Sequence, residues 1–154
     1  MKEEQRSAIN YFFVKVFNQI LSWEEQSFKE MGISDITLRE LHVIEAVYHL
    51  LDKGENRMSE IARYLAITPG SLTTAVNCLV KKGYLMREAS PSDRRVVMIV
   101  PTKTAEEVNN MHTHFHKTMI DKVLSCIEKD DVEVAVKILE GLNKFFSEEK
   151  SSRK

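Results

Sequence analysis

Residues 57–102 read "RMSEIARYLAITPGSLTTAVNCLVKKGYLMREASPSDRRVVMIVPT". The apolar period changes inside this stretch. "MSEIARYL" is short and amphipathic at helical spacing, "AIT" interrupts it, and "PGSLTTAVNCLVKKG" resumes the helical period. Thr68 stands where an N-cap belongs. Pro69 takes the first helical position, where a missing N–H costs nothing. Gly83 follows two lysines and stops the helix. After it, "YLMRE" and "RVVMIV" are β-rich runs separated by the turn-forming "ASPSD". Ile61, Leu65, Ile67, Leu72 and Ala75 are spaced to pack two short helices across a tight turn, with small Ala62 at the crossing. That pattern predicts a helix-turn-helix, and the hairpin behind it predicts a winged helix. Ala66 stands where such turns often carry glycine and so predicts a less demanding backbone angle.

Leu72, Ala75, Val76, Leu79 and Val80 gather on one side of the second helix. The opposite side presents Gly70, Thr74, Asn77 and Lys81, with Ser71, Thr73 and Cys78 at its edges. Short hydroxyl and amide side chains at the front of a helix can reach base edges in a major groove. Thr68 and its neighbours also offer backbone amides to phosphate, and Lys81 and Lys82 lie where phosphates would pass. The plain alternative is a solvated polar face. Such faces are usually rich in Glu and Lys, whereas no acid occurs from Thr68 to Arg87. At the hairpin tip, Arg94 and Arg95 are placed to enter a minor groove. Asp93 beside them repels phosphate, so its expected role is to support the wing by pinning an arginine or the turn.

The charge distribution agrees. The net charge of the 154-residue chain is −1. Residues 1–56 carry 6 Lys/Arg against 10 Asp/Glu, residues 57–104 carry 8 against 3, and residues 105–154 carry 8 against 10. A basic middle between acidic flanks suits an anionic partner. No apolar run is long enough to span a bilayer, and "MKEEQRSAIN" has no apolar signal-peptide region. Cys78 and Cys126 make no disulfide framework and read as small, half-buried residues in a reducing cytoplasm. The glycines are scattered and no nucleophile–base motif is present, so no catalytic activity is expected.

Outside the winged lobe the chain is helical. Residues 5–30 form a long helix with two apolar stripes, one of Phe13, Phe17, Ile20, Leu21 and Phe28, the other of Phe12, Val16 and Trp23. A helix apolar on two sides is covered on two sides. "TLRE" from Thr37 is a capping box that opens a helix to about Leu51. Residues 103–127 and 130–147 supply two more helices. The expected fold class is therefore mainly α with a small β-hairpin wing. Residues 1–154 make a single domain, with a winged lobe over 34–102 and helical dimerisation segments at 1–33 and 103–154.

The quoted stretch resembles the MarR family of bacterial transcription regulators. The "LVKKGYLMRE" joint, the "DRR" wing and the "PT" that enters a helix carry the resemblance, and helix order extends it over nearly the whole chain. It implies a homodimeric repressor whose two lobes meet successive major grooves of a pseudo-palindromic duplex, with half-sites roughly 10 base pairs apart.

"MHTHFH", residues 111–116, raises the question of a ligand. His112 and His116 are four apart and share a helix face, with Val108, Met111, Phe115 and Met119 marking the buried side. His114 points away to solvent. Two imidazoles alone make a weak metal site, and Thr113 breaks the zinc-protease pattern. Resemblance to the zinc-responsive repressors of the family implies a site of Glu25, His42, His112 and His116. Their second zinc site uses a cysteine before the second helix, and none is present here. "LRELHVIEAV", "SLTTAVNCLVKKGY" and "HTHFHKTM" equally resemble the fatty-acid-synthesis repressors, which implies acyl chains on acyl carrier protein, or a small apolar ligand, as the effector. In that case the His cluster is structural. Both alternatives stand on the sequence.

Overall fold

The computed structural model describes residues 2–151. Helix α1 (Glu3–Tyr11) runs through a π-helical turn (Phe12–Val16) into α2 (Phe17–Glu30). Then follow α3 (Leu38–Leu51), α4 (Met58–Leu65), α5 (Pro69–Lys81), β1 (Leu85–Ala89), β2 (Val97–Pro101), α6 (Lys103–Ser125) and α7 (Lys129–Ser151). Contacts divide the chain into two compact units after Thr113, inside α6. The π turn has no counterpart in the sequence pattern, because Phe12–Val16 keeps an apolar spacing that an α-helix would accept equally.

The core lies in the first unit, and α3 is its axis. Leu41, Val43, Ile44, Ala46 and Val47 are all buried, and α3 packs against α4, α5 and β2. Its start is fixed by the capping box. The Thr37 hydroxyl accepts from the Glu40 N–H at 3.2 Å, and the Glu40 carboxylate accepts from the Thr37 N–H at 2.8 Å. Ile61 and Ala62 from α4, Leu72, Val76 and Leu79 from α5, and Ile99 from β2 close the core. Leu65, Ile67 and Ala75 are half-buried against it.

The turn between α4 and α5 differs from the sequence expectation. Ala66 has φ 55° and ψ 39°, the left-handed region. The Ile67 N–H reaches back to the Ala62 carbonyl at 3.1 Å and the Ala66 N–H to Arg63 at 3.1 Å. This closure demands positive φ whatever residue is present, so alanine carries a strain that glycine would not.

The wing is an antiparallel hairpin with Leu85 opposite Pro101 and Ala89 opposite Val97. Arg57 bridges to Met98. Buried Asn56 clamps β2, its side-chain amide donating to the Ile99 carbonyl at 2.6 Å and its backbone carbonyl accepting from the Ile99 N–H at 2.9 Å. Thr102 then starts α6, its hydroxyl donating to the Gly83 carbonyl at 2.7 Å and accepting from the Ala105 N–H at 3.4 Å.

Two smaller expectations are corrected. Cys78 and Cys126 are exposed, not half-buried. Met111 is 41% exposed, whereas Val108, Phe115 and Met119 are buried.

Candidate nucleic-acid interface and histidine cluster

Helix α5 begins at Thr68, whose hydroxyl accepts from the Ser71 N–H at 3.2 Å. Pro69 follows at the first position. The buried face of α5 is Leu72, Val76 and Leu79. Thr68, Gly70, Ser71, Thr73, Thr74, Asn77 and Lys81 are all exposed. Thr73 donates its hydroxyl proton to the Pro69 carbonyl at 2.8 Å, and Thr74 to Gly70 at 3.2 Å. Their oxygens are left as outward acceptors. Arg87 on β1 donates to the Asn77 side-chain oxygen at 2.6 Å.

Lys82 differs from its neighbour. Its ammonium lies 2.9 Å from both Glu40 carboxylate oxygens, so it belongs to the joint between α5 and α3 and not to the phosphate-facing set. Burial pushes the Glu40 carboxyl up, but the Thr37 N–H and the Lys82 ammonium outweigh this and hold it below its ordinary value. Tyr84 strengthens the same joint by donating its hydroxyl to Asp35 at 2.9 Å. Burial, then the Asp35 carboxylate, push that phenol up to about 12.

At the wing tip, Asp93 accepts from the Arg95 backbone N–H at 3.0 Å and from its Nε at 3.2 Å. The Arg95 N–H, and then its guanidinium, hold the Asp93 carboxyl low. Arg94 and Arg95 are both exposed.

The histidine cluster forms where Glu24, in the middle of α2, meets His42 of α3 and His112 of α6. Glu24 Oε1 accepts from His112 Nε2 at 2.7 Å and lies 3.3 Å from His42 Nε2. Glu24 is 3% exposed and His112 1%. Each of Glu24, His42 and His112 brings one ligand atom within 4.8 Å of the others. The His112 ring lies 5.4 Å from Phe28, and Glu45 approaches its Nδ1 at 3.8 Å. Burial raises the Glu24 carboxyl, but hydrogen bonds from His112 and His42 more than reverse this and hold it far below the carboxylate range. His42 is raised, first by its Glu24 hydrogen bond, against the opposing effect of burial.

The carboxylate in this group is Glu24, in place of the expected Glu25. Glu25 is 58% exposed and pairs with Lys29 at 3.0 Å. His116 lies in the second unit, half-buried, with its ring 5.6 Å from Phe115. His114 is exposed. Sequence reasoning took Glu25 over its neighbour Glu24, read Glu40 only as the capping residue of α3, and gave no role to Arg87. For Glu24 a signal existed: Glu25 and Lys29 form an i,i+4 Glu→Lys pair of the kind that marks a solvent face. Two imidazole nitrogens and a carboxylate are a zinc-type donor set with room for a fourth ligand. Tetrahedral zinc ligands lie about 3.3 Å apart, so the His112–Glu24 contact would have to open by a few tenths of an ångström to admit the ion. Beside the cluster, Phe28, Ile33, Ile36, Leu38 and Leu41 line a cavity of about 420 Å³ with Lys29 and Thr37.

A helix-turn-helix with an acid-free outer face and an arginine-tipped hairpin defines a winged-helix DNA-binding protein. The chain belongs to the MarR family and is a DNA-binding transcription regulator: the MarR family model matches residues 36–97, and the relatives are regulators, not enzymes. The chain is 33% identical over 106 residues to the HTH-type transcriptional regulator MhqR of Bacillus subtilis (strain 168), spanning 68% of this chain and 71% of that protein. Among solved structures it is similar to Streptococcus pneumoniae FabT in complex with DNA, with TM-score 0.82 and 30% identity over 93% of this chain and 98% of that one. The S. aureus MepR–DNA complex shares the fold, with TM-score 0.74 and 19% identity over 90% and 94% of the two chains. Among the described residues, no helix is long and apolar enough to cross a membrane.

Proposed function

We propose that the protein is a cytoplasmic, homodimeric repressor that binds a pseudo-palindromic operator. Thr68, Gly70, Ser71, Thr73, Thr74, Asn77 and Lys81 of α5 would meet the major groove and its phosphates. Arg94 and Arg95, with Asp93 supporting the turn, would enter the minor groove. The observation that carries this reading is the outer face of α5, exposed, polar and free of acids. Dimerisation is supported by large apolar side chains left open to solvent at the two ends of the chain. Ile9, Tyr11 and Phe17 are 53%, 58% and 51% exposed, and Ile138, Leu139 and Phe145 are 58%, 60% and 53% exposed. So much open apolar surface needs a partner, and a second copy supplies one that matches it.

The same proposal makes Glu24–His42–His112 the effector-responsive joint, taking a divalent metal such as zinc. What supports it is the convergence of three donors from α2, α3 and α6. An ion there would tie the helices that carry the open apolar faces to the DNA lobe and bias the spacing of two recognition helices. A second reading rests on the apolar cavity beside the cluster and on the FabT likeness. In it the effector is an acyl chain, free or on acyl carrier protein, and the cluster is structural.

One experiment separates them. Protein purified without chelator is measured for metal content and for affinity to a selected duplex, with zinc or with a long-chain acyl carrier protein added. His42→Gln runs alongside, because His42 is half-exposed and its loss spares the buried pair. Zinc binding that shifts DNA affinity in the wild type but not in His42→Gln supports the metal reading. Metal-free protein indifferent to zinc rejects it, and an acyl-dependent shift then supports the second.

A further inference from the structure

We propose that Arg87 decides which hydrogen-bonding edge Asn77 shows to DNA, and so acts as a positioning residue for base selection. The inference rests on the reading of α5 as the base-reading helix and adds a mechanism to it.

The chemistry is one-sided. A guanidinium has five N–H donors and no acceptor. The Asn77 atom that faces Arg87 at 2.6 Å is therefore the amide oxygen. An isolated Asn can present either end, and only its hydrogen bonds say which. Here Arg87 fixes the choice, and the NH₂ end is turned away from it. Backbone hydrogen bonds and burial hold the joint between the two elements. Gly83 takes φ +81°, the Tyr84 N–H bonds the Leu79 carbonyl at 2.9 Å, and Tyr84 and Leu85 are buried. Arg87 pairs across the hairpin with Ile99, which is itself buried. Glu88, the next residue, projects from the opposite face of the strand. The guanidinium is thus delivered to Asn77 by β1 from a fixed direction.

The consequence is a bias in readout. An Asn that reads adenine does so with both ends, accepting from N6 with its oxygen and donating to N7 with its amide. With the oxygen turned to Arg87, Asn77 offers donors, which match the acceptors O6 and N7 of guanine or O4 of thymine; adenine also has an N7 acceptor but sets its N6–H₂ donor beside it. Thr73 and Thr74 are set the opposite way. Their protons are committed to Pro69 and Gly70, so they offer acceptors. The outer face of α5 then carries a preset alternation of acceptor and donor, part of it imposed from β1.

The test uses the full chain and a pool of duplexes with a randomised core. Wild type, Asn77→Ala, Arg87→Ala, Arg87→Lys and the Asn77→Ala/Arg87→Ala pair each select from the pool, and the enriched sequences are read. Thermal midpoints confirm that each variant folds. The wild type should prefer G or T at the symmetric pair of positions where Asn77→Ala loses its preference. Arg87→Ala should shift that pair, and no other, toward A by about fivefold or more, the low end of a bidentate contact. Arg87→Lys, which keeps a donor, should restore the wild-type choice. The double variant should match Asn77→Ala. An unchanged base preference in Arg87→Ala, with affinity lowered evenly over all sequences, would overturn the inference and leave Arg87 a phosphate contact. Failure of the wild type to enrich any duplex would sink the base-reading role of α5 itself.

Discussion

Lys82 Nζ lies 2.9 Å from both carboxylate oxygens of Glu40, and the same carboxylate caps α3 through the Thr37 N–H. One side chain therefore closes the first turn of α3 and holds the last turn of the recognition helix. Glu40→Ala should lower stability by roughly 2 kcal/mol, since it removes a capping box and strands a lysine. Lys82→Met should cost roughly half as much, because the cap survives and the lysine is about one-third exposed to screening water. Chemical denaturation of both variants checks the order. Equal losses would mean that the capping role is negligible.

The Glu40 carboxyl is depressed, so its contribution has a definite pH window. It is in place above the ordinary carboxylate value of 4.5 and is lost as pH falls through the depressed one. Acid unfolding of Glu40→Gln should therefore be less steep below pH 4.5 than that of the wild type. Superimposable acid limbs would remove Glu40 from the account.

His42 runs the other way. Its folded value is raised above 6.5 by Glu24, so the stability it adds is fully present below pH 6.5 and fades as pH climbs through the raised value. Metal-free protein should show a falling thermal midpoint across that range, and His42→Gln should flatten the fall. A midpoint that is level from below pH 6.5 to above it, or the same slope in the variant, contradicts the pairing with Glu24.

Ala66 holds φ 55° without being glycine. Ala66→Gly relieves the Cβ clash but frees the unfolded chain, and the balance should favour the folded state by up to about 1 kcal/mol. Ala66→Val, β-branched at positive φ, should destabilise by about 1–2 kcal/mol or more. Midpoints of the two variants that move together would contradict the left-handed turn.

Much of the fold is legible because local signals agree. Thr68–Pro69, the Thr37–Glu40 box and Gly83 mark helix ends by mechanisms that do not depend on distant residues. The period change at Tyr84 marks the hairpin. What escapes the sequence depends on a single angle or on a long-range partner. The π turn over Phe12–Val16 leaves the apolar pattern intact. Ala66 adopts the angle that the turn requires against its own preference. Glu24 and Glu25 flank the same Leu21–Phe28 stripe, and only the long-range contacts with His42 and His112 select Glu24. Arg87 and Asn77 meet through a strand that folds back on a helix, a contact that no local spacing announces.

The central claim is that α5 and the wing together grip DNA. The most direct measurement is the affinity of a selected duplex as a function of salt, for the wild type and for Thr74→Ala, Arg94→Ala and the two combined. The wild type should bind with steep salt dependence. Arg94→Ala should weaken binding and reduce the log–log slope by about 1 for each protomer engaged, as loss of a backbone or minor-groove cation requires. Thr74→Ala should weaken binding with the slope unchanged. Full affinity and an unchanged slope in the double variant would contradict the assignment of this surface to DNA.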